Sequence, residues 1–132
     1  GAVSATIASE PRRVGQCWGR QCQQSASGGP THNAIFPAAA ATVSGELARH
    51  GYEAASGNTV YHDFCPKCGT PVLGTTRLRP EFVGFRLGFL DEGHGLQPSV
   101  AIWVSEAPAW ASIDPVLARF ERQPPPPPQA GD

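Results

Sequence analysis

The sequence predicts a mainly β fold of short strands with few short helices, and three observations carry that prediction. Fifteen Gly and 14 Pro among 132 residues divide the chain into short pieces, which suits strands joined by turns better than long helices. Apolar and polar residues alternate with period two near the start, where Val3, Ala5 and Ile7 interleave with Ser4 and Thr6, the mark of a strand with one buried face. Further on, β-branched and aromatic residues gather in bounded runs at 59–64 and 82–87, where strand propensity is highest. The length fits one domain with a modest core.

Each element follows in order. Pro11 stops the first strand, and 14–17 reads as its return. Residues 20–26 are polar and carry no strand signal, so one helical turn is expected there. Ser27-Gly28-Gly29-Pro30 is a loop. A short strand at 34–36 meets Pro37. The alanine run 38–41 fits either a helical turn or an extended piece, and Thr42-Val43 leads into a turn at 44–46. Gly57-Asn58 opens another turn. Strand 59–64 and segment 71–75 then form a hairpin whose tip is Cys65-Pro66-Lys67-Cys68-Gly69. Apolar strands are expected at 82–87 and 100–104, and a short helix or turn at 115–120. Trp110, Ile113, Leu117 and Phe120 are expected to close the core. The globular domain is assigned to 1–123. The proline run 124–128 cannot pair in a sheet or enter a helix, so 124–132 is expected to be a disordered, solvated tail.

Composition removes several classes of function. The formal net charge is −1, and no block of Lys or Arg marks a nucleic-acid surface. No apolar run approaches the ~20 residues that span a bilayer, and no secretory signal peptide is evident. A cytoplasmic protein without a membrane or nucleic-acid partner is expected, its oligomeric state left open.

The chemistry lies in four cysteines. Their spacing is Cys17-x4-Cys22 and Cys65-x2-Cys68. With no export signal, close pairs of this kind favour metal over disulfides. Two thiolates at a hairpin tip can grip one zinc ion, with Pro66 presetting the turn and Gly69 taking the left-handed conformation after it. A redox Cys-x-x-Cys sits at a helix start, and nothing helical follows Gly69. Two thiolates leave a structural site half built. The plainest completion joins Cys17, Cys22, Cys65 and Cys68 into a single tetrathiolate zinc site. Among the histidines, His32 lies within reach of a metal at Cys17 and Cys22. His62 faces away from Cys65 by strand alternation and reads as a surface or core residue. His50 and His94 suggest nothing. Arg12, Arg13 and Arg20 bracket Cys17, and a guanidinium suits a carboxylate. Arg13 and Arg20 are therefore the candidate substrate-binding residues for an acidic substrate.

At this point the residues resemble a known family. Val60 to Pro71 resembles a family segment ending in Phe-Cys-x-x-Cys-Gly. Gly88-Phe89-Leu90-Asp91 resembles its Gly-x-Leu-Asp step. Ile102-Trp103-Val104-Ser105 with Ala107-Pro108-Ala109-Trp110 is similar to its late strand and closing tryptophan, and 117–124 to its Leu-x-x-Phe-Glu-x-x-Pro ending. Cys17 to Cys22, followed by Ser25-Ala26-Ser27-Gly28, is similar to its metal segment Cys-His-Cys-x-x-Cys. The family is that of the glutathione-dependent formaldehyde-activating enzyme and centromere protein V.

The resemblance implies a β-tent of small antiparallel sheets and two zinc sites. In one, Cys65 and Cys68 would join an N-terminal Cys-x-Cys. In the other, Cys17 and Cys22 would hold an open, catalytic zinc. The implied activity is carbon–sulfur lyase chemistry on a glutathione or related thiol adduct. The chain departs from the pattern in three places. It begins Gly1-Ala2-Val3, so the family's Cys-x-Cys is expected just before Gly1. Trp18-Gly19 stands where the pattern has His-Cys, and Ala101 where it often has His. The loss at Gly19 admits an alternative, a non-catalytic zinc-stabilised binding module of the same family.

Overall fold

A computed structural model describes residues 2–127. Ten strands run in chain order: β1 (Ser4–Ile7), β2 (Arg13–Cys17), β3 (Thr31–Pro37), β4 (Ala41–Ser44), β5 (Ala48–Glu53), β6 (Thr59–Phe64), β7 (Pro71–Thr76), β8 (Phe82–Arg86), β9 (Val100–Ile102) and β10 (Ala118–Arg119). One short helix, α1 (Arg20–Ser25), follows β2, and single 3-10 turns occur at Ala38–Ala40 and Val104–Glu106. The fold is therefore mainly β, as the turn-rich composition requires.

The strands form two sheets. β1 and β4 make a two-stranded antiparallel ribbon. The other eight form one sheet in the order β10-β9-β2-β3-β8-β7-β6-β5. Its pairings are antiparallel except at β2–β9 and β9–β10, which are parallel. Most strands thus merge into one long mixed sheet, with the β1–β4 ribbon as a second, small one, both of them open.

Register explains the core. On β3, Ala34 and Phe36 alternate with Asn33 and Ile35, and each face continues across the neighbouring strands. Val14 lies opposite Ala34, Phe85 opposite Ala34 and Leu73, and Val83 opposite Phe36. These residues form one buried cluster with Val72 and Cys65. Ala5, Ile7 and Val43 of the β1–β4 ribbon pack against it. The opposite face of the same strands carries Asn33, Arg86, Gly74 and His62 by the same alternation.

Several sequence expectations are corrected here. β2 is not the return of β1. Its Val14 must reach Ala34 on the central strands, and β1 pairs with β4 instead. β5 had no sequence signal, because Arg49, His50, Gly51 and Glu53 give no apolar alternation. It forms as an edge strand on β6, pinned by Arg49, whose Nε and Nη2 donate to the two oxygens of buried Asp63 at 2.8 and 3.1 Å. Such a two-pronged charged pair is the strong kind. Of the helix or turn expected at 115–120, the structure has the turn, at 115–116, and the chain then enters β10.

The closing core also differs. Trp110 is 72% exposed. The tryptophan that fills the second apolar cluster is Trp18, with Ala101 and Leu117, flanked by Ile113 and Val104. The parallel pairings bring this about: β9 lies between β2 and β10, so Ala101, Leu117 and the residue after Cys17 meet at one end of the sheet. Pro124 is buried while Pro125 and Pro126 are exposed, and no strand or helix occurs there. The last part of the expected tail, 128–132, lies outside the described residues.

Candidate functional site

β2 delivers Cys17 at its last residue, opposite Thr31 of β3. Trp18 then drops into the second cluster, and the chain turns through Gly19 into α1. Gln23 secures this corner: its side-chain amide donates to the carbonyls of Trp18 at 2.7 Å and Glu106 at 2.9 Å. The first turn of α1 brings Cys22 back beside Cys17, close enough for the two thiols to shift each other's pKa. Cys22, with burial adding to the effect, holds the Cys17 thiol well above its ordinary value. Cys17 in turn lowers the Cys22 pKa to about 6 against the opposing effect of burial, helped by Thr31 and by the charge of Arg86.

The second pair sits at the β6–β7 hairpin. The amide of Cys65 donates to Thr70 O at 3.0 Å, and that of Gly69 donates to Cys65 O at 2.8 Å. Gly69 has φ +79°, the left-handed conformation expected after the turn. Cys65 is buried and Cys68 exposed. Cys68 Sγ lies 3.1 Å from Thr70 Oγ1, and this contact, followed by the Thr70 amide and Cys65, lowers its pKa.

The sequence pairs are thus pairs in space. All four cysteines are free thiols. Among the described residues no group of three or more His, Cys, Asp or Glu is placed to hold a metal ion, so they do not converge on one tetrathiolate centre. By donor type both pairs suit zinc. By number neither does, since a closed zinc takes four ligands and a catalytic one three.

His32 does not join the thiols. It lies opposite Gln16, so alternation sends it to the face away from Cys17, where its Nε2 lies 3.2 Å from Gln16 Nε2. Arg20 is exposed and locally engaged: its amide donates to Glu106 Oε1 at 2.8 Å, and its guanidinium reaches Gln23 Oε1 at 3.4 Å. Arg13 shares the face of Cys17 but stands four residues away along β2, about 13 Å at strand rise. Partial burial lowers its pKa.

The sequence reading missed three residues that complete this face. Arg86 ends β8 opposite Asn33, and its Nη1 donates to Asn33 Oδ1. Gly74 leaves room for it: a Cβ there would lie 3.2 Å from Arg86 Nη2. Burial lowers the Arg86 pKa, while Cys22, Cys17 and Tyr52 act in the other direction. Tyr52 of β5 packs edge-on against His62 with ring centroids 5.4 Å apart, and burial, then the two thiols, raises its pKa to about 12. His62, read as surface or core, borders a cavity of about 300 Å³ together with Arg86, Ser25, Asp63, Phe64, Gly69 and Pro71. A lone cation between the Phe-Val-Gly-Phe run of β8 and Leu87 was the available signal for Arg86. Tyr52 had none, because β5 itself gave none.

His62 yields a pH prediction. Burial, then Arg86 and His50, lower its pKa to about 4, with Asp63 partly opposing. The unfolded chain takes up this proton near pH 6.5, the folded chain only near 4. Stability is therefore full above pH 6.5 and falls as pH drops toward 4. After discounting for partial solvent screening, the loss is on the order of 1–2 kcal/mol. Urea unfolding at pH 7 and 4.5 should show a larger drop for the parent chain than for His62→Gln; equal drops would refute the assignment.

Comparison with known proteins gives the family. Residues 1–106 match the family described as glutathione-dependent formaldehyde-activating enzyme. No curated protein matches the chain. Among solved structures, the crystal structure of a Rhodobacter sphaeroides protein is similar in fold, with a TM-score of 0.52 and 18% identity over 73% of this chain and 82% of that one. With the match spanning both cysteine pairs and the strands that carry them, the chain belongs to the glutathione-dependent formaldehyde-activating enzyme family.

Proposed function

We propose that this protein makes or breaks a carbon–sulfur bond in an adduct of glutathione or a related small thiol, at the corner formed by Cys17 and Cys22. The reaction class is addition of a thiol to an aldehyde carbonyl and its reverse. The S–C bond forms, the thiol proton passes to the carbonyl oxygen, and no oxidant or reductant is needed. The observation that carries the reading is the joining of two thiols beside a cation and an adjoining cavity, in a chain of this family.

The residues divide the work. Cys17 and Cys22 would supply two of the three protein ligands of an open zinc site, and Cys65 and Cys68 two of the four of a structural one. When bound, zinc would supply Lewis-acid polarisation and favour the thiolate form of a substrate. The Arg86 charge favours anionic sulfur near it. His62, neutral at pH 7, is able to accept or return a proton at the cavity wall.

Full-length, zinc-loaded protein given carbon-13 formaldehyde and glutathione should speed formation of the hydroxymethyl adduct, followed by NMR exchange. Cys17→Ser and Cys22→Ser should each lower the rate about 100-fold or more, the scale of losing an essential group. No acceleration across a panel of thiol adducts would reject the lyase reading. Gly19 supports a second reading, because it places no thiol between Cys17 and Cys22. On that reading the chain is a zinc-stabilised binding module without turnover.

A further inference from the structure

The sequence placed substrate carboxylate recognition on Arg13 and Arg20. The structure leaves neither well placed, and it places another cation better. Arg86 sits where β8 ends, with its guanidinium drawn into the sheet's polar face. Among the described residues its one hydrogen-bond partner is the neutral amide oxygen of Asn33, and no carboxylate pairs with it.

The nearest acidic candidate is already engaged. Asp63 contributes to the same cavity wall, but both of its oxygens accept from Arg49. Asp63 also stands opposite Leu73, on the apolar side of the sheet by alternation, whereas His62 and Arg86 share the polar side. Glu106 acts on Cys22 from a distance, and its side chain accepts from the amide of Arg20.

A partly buried guanidinium with no carboxylate partner is costly, even with thiols nearby. It carries five N–H donors in a rigid fork, and Asn33 accepts from only one. The rest of the structure is arranged to keep it there. Gly74 clears the floor beneath Nη2, and Asn33 is itself fixed by donating its Nδ2 to Thr31 Oγ1 at 3.0 Å. Thr31 lies opposite Cys17 in the β2–β3 pairing. The chain Arg86–Asn33–Thr31 therefore leads from the cation to the thiol corner, and Arg86 also borders the cavity.

We infer that Arg86 is the specificity-determining residue of the site and receives a carboxylate of the thiol substrate, held in the cavity beside His62 while the sulfur lies at Cys17 and Cys22. The inference rests on the thiol-adduct reading above and adds what it lacks, a reason for the site to prefer acidic thiols. A carboxylate meets a guanidinium through two parallel hydrogen bonds. A neutral thiol of similar size would leave the cation unpaired.

Two variants of the full-length, metal-replete protein test this. Arg86→Gln removes the charge. Asn33→Asp keeps Arg86 and gives it an internal carboxylate at the position of its present acceptor, so it is expected to fold and to compete with the ligand. The probes are glutathione and its dimethyl ester, with affinity measured by calorimetry or NMR titration and folding checked by circular dichroism. The parent should bind the acid at least about 10-fold more tightly than the ester, as expected for one charged pair. Both variants should lose that preference, Asn33→Asp without loss of thermal stability. An unaltered acid-to-ester ratio in folded Asn33→Asp, or no preference in the parent, would overturn the assignment. The two readings fail separately. Acid-selective binding without turnover keeps the Arg86 role and rejects the lyase. Turnover with unchanged selectivity in Asn33→Asp keeps the lyase and rejects Arg86.

Discussion

Gly19→Cys should bind zinc about 100-fold or more tightly than the parent chain, because it supplies the third thiolate that an open zinc site requires. The backbone permits it. Gly19 has φ −53° and ψ 150°, values open to any L-residue. A Cβ there would lie 3.6 Å from Cys17 Sγ and 4.0 Å from the nearest atom of Trp103, both ordinary contacts. Loss of Gly before the helix costs only a few tenths of a kcal/mol to about 1 kcal/mol. Competitive zinc titration reads the affinity, and thiolate-to-metal absorption of the cobalt form reads the ligand type. A gain of both zinc and aldehyde–thiol turnover would identify the parent as an enzyme weakened at this position. A gain of zinc alone would favour the binding module. Unchanged metal affinity would remove the case for a metal at Cys17 and Cys22.

Phe85→Ala should cost about 3–5 kcal/mol of unfolding free energy, the usual cost of emptying an aromatic site in a core. Phe85 is fully buried. It meets Phe36 edge-on and Phe89 in a stacked arrangement, each at 6.1 Å between centroids, and it lies between Ala34 and Leu73 in the sheet. Domains of this kind hold about 5–15 kcal/mol in all, so the variant would stand near the edge of folding. Trp110→Ala is the matching control. With most of its ring in solvent, it should change stability by under about 1 kcal/mol. Urea unfolding of both variants at one pH checks the pair. A large loss at Trp110 would place it in the core, as the sequence alone had suggested.

That contrast shows where sequence reasoning stops. Both tryptophans near the ends of the chain are equally apolar as letters. Trp18 is buried because β9 slides in parallel beside β2 and carries Ala101 and the segment to Leu117 over it. Trp110 stays outside because it lies in a turn whose small flanking residues Ala107 and Ala111, with Ile113, pack against that cluster in its place. No local pattern encodes a parallel pairing between strands over 80 residues apart. β5 was missed for a related reason. An edge strand needs only one partner and little apolar alternation, so its tie is the remote Asp63–Arg49 pair.

Local chemistry was legible in the letters. The hairpin at Cys65 to Gly69 follows from Pro66, Gly69 and the strand-forming runs on either side. The return of Cys22 toward Cys17 follows from a turn and one polar helical segment. These features depend on residues within a few positions of each other, where sequence spacing sets distance in space. The polar face depends on register. Arg86, Asn33, His62 and Tyr52 come from four different strands, and a shift of one residue in any pairing would send a member to the other side. The amino-acid order therefore determined that this chain is mainly β and carries two thiol pairs. Only the assembled sheet decided that the pairs stay separate, and that a cation without a carboxylate lies beside one of them, because both outcomes come from long-range strand pairing and burial.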